Sequence, residues 1–207
     1  MTVERFIENL KRVPDTETLK NPYSNPVKAK NLSIYLNYMV QAEPKHMLVG
    51  EAPGHLGCAL TGVPFTDEYR LCTPGNAGCL PLQQPGYEIF TDPPTKEESS
   101  KIIWRALAAK AFFPLLWNIV PFHPHEKNNL CKNRTPNSQE LKEYSYFVRD
   151  LQKVVPSVNQ GLIFAVGRKS EEILRRELGI NAEYIRHPAR GGASKCTSAI
   201  YAIAEAI

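Results

Sequence analysis

The sequence predicts an α/β protein of three layers, α/β/α, around a central, mostly parallel four-stranded sheet. Three observations predict it. Four short apolar runs end at or near turn residues, and helical spacing follows each run. No repeat, charge block or Gly/Ser linker divides the 207 residues, so residues 1–207 are expected to form one domain.

Residues 2–12 space their apolar side chains as a short amphipathic helix. Asn25-Pro26 has N-cap plus N1 chemistry, and Leu32, Leu36, Met39 and Val40 carry a second helix to about Gln41. HMLVG at 46–50, an apolar run stopped by a glycine, is the pattern of a buried parallel strand. The stretch 69–96 is rich in Pro, Gly, Thr and Gln, and its part 69–94 reads as an irregular insertion. Residues 95–98 start a helix through Trp104 and Leu107 to about Ala109.

LLWNIV at 115–120 is a second strand, followed by the polar loop PFHPHEKNNLCKNR. Thr135-Pro136 is expected to cap a helix with Leu141, Tyr144, Phe147, Leu151 and Val154 on one face. GLIFAVG at 161–167 is a third strand, and its helix runs from about Lys169 to Leu178, stopping at Gly179. AEYIRH at 182–187 is a weaker fourth strand. Ser194 then caps a last helix with Cys196, Ile200, Ile203 and Ile207 on one stripe.

Hydrophobic residues at 43% and charged residues at 22% exclude a disordered tail protein. Lys plus Arg number 25 and Asp plus Glu 21, a net +4 that permits a polyanionic partner without requiring one. No apolar run approaches the ~18 residues of a membrane span, and the charged start MTVERFIENLKRVPDTE has no signal-peptide core. Cys58, Cys72, Cys79, Cys131 and Cys196 are odd in number and irregular in spacing, which favours a reducing compartment. The expectation is a cytoplasmic monomer with no membrane partner.

In open parallel sheets, ligands bind beyond the carboxyl ends of the strands. Those ends are Gly50-Glu51-Ala52-Pro53-Gly54, Asn118-Ile119-Val120-Pro121-Phe122, Gly167-Arg168-Lys169 and His187-Pro188-Ala189-Arg190. A carboxylate, a carboxamide, cations and an imidazole therefore converge on one cleft. GEAPG is neither a dinucleotide fingerprint nor a Walker loop; it offers a Glu side chain and free backbone N–H groups, or serves only as a turn. Asn118, inside an apolar run, either bonds neighbouring backbone or faces a nucleobase edge. His187 is a surface histidine or a donor to the cleft. Cys58, Cys72 and Cys79 are poorly spaced for zinc, and His123-Pro-His125-Glu126 reads as a solvated loop, so no metal is expected.

GEAPG at 50–54, GVPF at 62–65, NIVPFHP at 118–124, NRTPNSQE at 133–140, AVGRKSEEIL at 165–174 and HPARGG at 187–192 occur in that order. Together they resemble the uracil-DNA glycosylase superfamily, closest to its family 4 type, over about residues 44–205. The resemblance implies a DNA-repair glycosylase that flips uracil out of the helix and hydrolyses its N-glycosidic bond, leaving an abasic site. Phe65 would stack on the base and Asn118 would read its Watson–Crick edge. His187 would donate to uracil O2, with Ala52, Pro53 and Gly54 in the base-binding turn, and Glu51 would orient or deprotonate the water. Pro188, Arg190 and Gly191 would follow the minor-groove side, and Arg168 and Lys169 would hold phosphates.

Family 4 members carry an iron–sulfur cluster on four cysteines. Here no Cys-x-x-Cys precedes the first strand, and Phe122 and Tyr144 align with two of the ligands. The reading is therefore no cofactor, with aromatic side chains filling the space as core. Family 1 members read GQDPY; the acid here, Glu51, stands one position earlier, and the Tyr that blocks thymine's methyl group corresponds to Gly54. Exclusion of 5-substituted uracils then comes from elsewhere or is loose. The alternatives are a glycosylase for another deaminated or 5-substituted base, a non-catalytic nucleic-acid binding module on the same scaffold, and a nucleoside hydrolase.

Overall fold

The computed structural model describes residues 1–72 and 78–207. The chain forms α1 (Val3–Lys11), β1 (Leu19–Lys20), α2 (Pro26–Ala42), β2 (Met47–Gly50), α3 (Cys58–Thr61), α4 (Glu68–Cys72) and α5 (Glu98–Ala109). It continues with β3 (Leu115–Asn118), β4 (His123–Glu126), β5 (Asn129–Asn133), α6 (Ser138–Tyr144), α7 (Tyr146–Val154), β6 (Ile163–Val166), α8 (Arg168–Leu178), β7 (Glu183–Ile185) and α9 (Ala193–Ala206).

Four strands pair in parallel in the order β3-β2-β6-β7, as the four apolar runs predict. β2, β3 and β6 are buried at every position, which is why they read as continuous apolar runs rather than alternating ones. Helices cover the sheet, with α8 and α9 against β7 and α5 against α9. At the β3 edge, the N–H of Leu116 donates to the Tyr35 hydroxyl of α2 at 2.8 Å, giving an edge-strand donor a buried partner.

Three expectations are corrected. The segment 121–134 is not a polar loop: β4 and β5 form an antiparallel hairpin, and β1 pairs with β4 to complete a second, three-stranded sheet. β5 is exposed along its whole length, so no apolar pattern marked it. The helix after it starts later than Thr135-Pro136, because Asn137 accepts from the Glu140 N–H while Glu140 accepts from the Asn137 N–H, a reciprocal cap. On α9, Cys196 and Ile200 are buried but Ile207 is exposed, and Gly192, not Ser194, precedes the helix.

Phe122 and Tyr144 are both buried and meet edge to face at 4.9 Å, with Phe147 against Phe122 at 5.7 Å. Both rings belong to the hydrophobic core.

Candidate active site

β2 lies between β3 and β6, so the chain departs to one side of β2 and returns on the other. This makes the carboxyl end of β2 a switch point where a crevice opens. Gly50, the last residue of β2, is the register partner of Asn118, the last of β3. The ladder continues beyond the strands, with the Ile119 N–H donating to the Gly50 carbonyl at 2.9 Å and the Val120 N–H to the Glu51 carbonyl at 3.0 Å. Glu51 and Asn118 are thus fixed by sheet hydrogen bonds.

Phe65 reaches the same point from the segment after α3. A Cβ built on Gly50 would lie 2.4 Å from Phe65 Cζ and 2.7 Å from Asn118 Oδ1, so ring and carboxamide share the space a side chain would take. Phe65 has φ +55°, a left-handed conformation that costs a bulky residue about 1–3 kcal/mol. Trp104 of α5 helps to hold it there, its indole N–H reaching the Phe65 carbonyl at 3.1 Å and Thr66 Oγ1 at 3.0 Å. Asn118 is buried, yet among the described residues its carboxamide makes no hydrogen bond. The carboxamide lines the cavity, where its carbonyl and NH2 are open to pair with a group that enters.

Glu51, Phe65, Asn118 and His187 line one cavity of about 550 Å³, a size that suits a small-molecule ring. Ala52, Pro53 and Gly54 line it too. Of the cationic and loop residues, Arg168, Lys169 and Arg190 lie on it, whereas Pro188 is buried outside the lining and Gly191 is exposed outside it. Arg168 is pinned between the Tyr184 ring, 3.7 Å from its guanidinium, and Glu171 at 2.8 Å.

Burial acts on both the Glu51 carboxylate and the His187 imidazole. Burial pushes the Glu51 carboxyl up, and the Lys169 ammonium partly offsets this. Burial lowers the His187 pKa, and Arg186 and Arg190 lower it further. The Ala189 N–H donates to His187 Nδ1 at 3.1 Å, so Nδ1 is an acceptor and the proton of the neutral ring sits on Nε2. The site therefore pairs a partly desolvated carboxylate with a neutral imidazole donor.

Sequence reasoning missed Glu97, Arg134 and Arg186, which also line the cavity. Glu97 precedes α5 and reads as ordinary helix-start chemistry; burial and the charge of Asp67 push it up to about 7, against the pull of Arg70. Arg134 forms a bidentate pair with Glu140 and also donates to the Thr18 carbonyl at 2.9 Å, tying the second sheet to α6 beside the cavity.

The histidines of 123–126 are not in a solvated loop. His123 and His125 are buried in β4, and His123 lies 2.9 Å from both the Pro53 and Leu130 carbonyls, anchoring the GEAPG turn to the hairpin. Cys58 lines the cavity, Cys72 is exposed, and Cys79 is buried with its thiol toward the Trp104 carbonyl at 3.9 Å. No group of three or more His, Cys, Asp or Glu that could hold a metal ion occurs among the described residues. Among them, too, no helix is long and apolar enough to cross a membrane.

The open parallel α/β sheet thus carries a switch-point cavity that presents an aromatic ring, a carboxamide, a carboxylate and an imidazole. The family model described as the Uracil DNA glycosylase superfamily matches residues 38–200, and the chain belongs to that superfamily. Membership carries the coarse assignment, a glycosylase-type hydrolase of base excision repair that acts on DNA. No curated protein matches the chain.

Proposed function

We propose that the protein removes uracil from DNA by hydrolysing its N-glycosidic bond. The observation that carries this reading is the meeting of Phe65 and Asn118 over Gly50, inside the cavity that Glu51 and His187 also line. A flipped pyrimidine stacks on Phe65, and its extrusion costs a few kcal/mol of lost stacking and pairing. The Asn118 carbonyl accepts from N3–H and its NH2 donates to O4. Cytosine presents the opposite pattern, so it leaves both groups unpaired.

As the C1′–N1 bond breaks, its electron pair passes to the base and charge grows on O2. There the Nε2–H of neutral His187 donates, a group that needs no proton from bulk water to do so. Glu51 orients the water whose oxygen bonds to C1′ and accepts its proton. Arg168, Lys169 and Arg190 at the cavity rim attract the phosphates of a DNA strand. The protein works as a monomer without a cofactor in this reading.

The test is release of labelled uracil from single- and double-stranded DNA. Wild type is expected to release it, with Glu51→Gln and His187→Ala each slowed by about 10²–10⁴-fold. Retention of uracil-containing DNA with no abasic product would instead favour a binding module, and full cleavage by either variant overturns the assigned roles.

A further inference from the structure

Two carboxylates line the cavity, and the mechanism above uses one. The other, Glu97, sits at the N-cap of α5 with extended backbone, φ −121° and ψ 127°, and caps no helical N–H with its side chain. Its carboxyl lies instead on the turn after β2. A Cβ built on Gly54 would fall 2.2 Å from Glu97 Oε1, and one on Gly57 would fall 2.3 Å from Oε2. The carboxyl thus fills the space that side chains at positions 54 and 57 would take.

Its position is held by buried chemistry. The Glu97 N–H donates to Asp67 Oδ2 at 2.7 Å, and the N–H of Asp67, itself fully buried, donates to Ser100 Oγ at 3.1 Å. Glu68, also fully buried, accepts from the N–H of Phe90 at 2.6 Å, the N–H of Thr95 at 3.1 Å and the hydroxyls of Thr91 and Thr95. The Thr95 hydroxyl lies 3.1 Å from the Leu56 carbonyl as well. The end of the irregular segment is therefore clamped to the residues just after Phe65, and the clamp delivers Glu97 to the cavity wall.

In the reading proposed above, Asn118 takes the N3–O4 side of the base, His187 takes O2, and Glu51 faces the sugar. The edge left over carries C5, and the lining which that reading leaves unused includes Glu97, whose carboxyl lies against Gly54 of the base-binding turn. We propose that Glu97 is a specificity-determining residue, closing this wall so that a pyrimidine with hydrogen at C5 enters and one with a methyl group there is rejected. A methyl group would have to displace a carboxyl whose backbone is anchored by Asp67, or strip its hydration without offering a hydrogen bond. The inference rests on the uracil reading of the site.

The experiment compares kcat/KM for uracil and thymine release from otherwise identical DNA, with free uracil and free thymine as competing inhibitors. Glu97→Ala opens the wall, and thymine release relative to uracil is expected to rise by about 10–100-fold. Glu97→Gln, of equal volume, is expected to keep the wild-type ratio, and Glu97→Asp, one methylene shorter, to fall between. Thermal unfolding checks each variant; should Glu97→Ala fail to fold, the Glu97→Asp ratio and its inhibition by free thymine decide. An unchanged ratio in folded variants that still release uracil overturns the role of Glu97 and leaves the glycosylase reading intact. Absence of uracil release by wild type overturns both.

Discussion

Phe65 and Asn118 meet across Gly50, whose missing side chain is the space they occupy: a Cβ there would lie 2.4 Å from the ring and 2.7 Å from the carboxamide oxygen. The aromatic platform and the hydrogen-bonding edge are thus positioned against each other by one backbone atom of the central strand. Gly50→Ala is expected to force both groups aside, lowering uracil release by at least about 10²-fold at a stability cost of about 1–3 kcal/mol. Denaturant unfolding beside excision rates checks this, and near-wild-type rates would show that ring and amide need not adjoin.

Glu51 and Lys169 are electrostatically linked across the cavity. Burial raises the Glu51 pKa and Lys169 lowers it, so the acid limb of the kcat/KM profile is expected above the ordinary carboxylate value near 4.5. Lys169→Ala removes the offsetting charge and should move that limb further up. A limb that stays in place, measured on a single-stranded substrate over a pH series, would sever the link.

His187 is expected to be neutral at pH 7 with its proton on Nε2, because Nδ1 accepts from the Ala189 N–H. Nitrogen NMR of the imidazole reads this directly. Its protonation should occur below the ordinary value near 6.5 and should cost the Ala189 hydrogen bond. A protonated Nδ1 at neutral pH would contradict the donor role given to Nε2.

Glu97 makes stability depend on pH. Its folded-state pKa, about 7, lies above its ordinary value of 4.5, so its contribution is fully present below about 4.5 and is lost as pH rises through 7. The full shift corresponds to about 3 kcal/mol, reduced to about 1–2 by the partial exposure of the carboxyl. Glu97→Gln should therefore flatten the decline in unfolding free energy between pH 5 and pH 8. Parallel slopes for wild type and variant would place the loss elsewhere.

The parallel sheet and the residues at its carboxyl ends were legible in the order of residue types alone. Strands buried on both faces must be apolar throughout, and a chain leaving such a strand places its polar residues at the sheet edge, so Glu51, Asn118, Arg168 and His187 could be read from four short runs. The order of the peptide motifs gave Phe65. The hairpin of β4 and β5 was illegible because β5 is exposed along its length, with backbone pairing rather than side-chain burial holding it. That Phe65 and Asn118 share the empty side of Gly50, and that Glu97 enters the cavity, emerges from the folded chain and from no local pattern. Glu97 lies far along the chain from Gly54 and Gly57, and what brings it there is a set of hydrogen bonds to the buried Asp67 and Glu68. Contacts of that kind depend on where the backbone returns in space, which local periodicity does not encode.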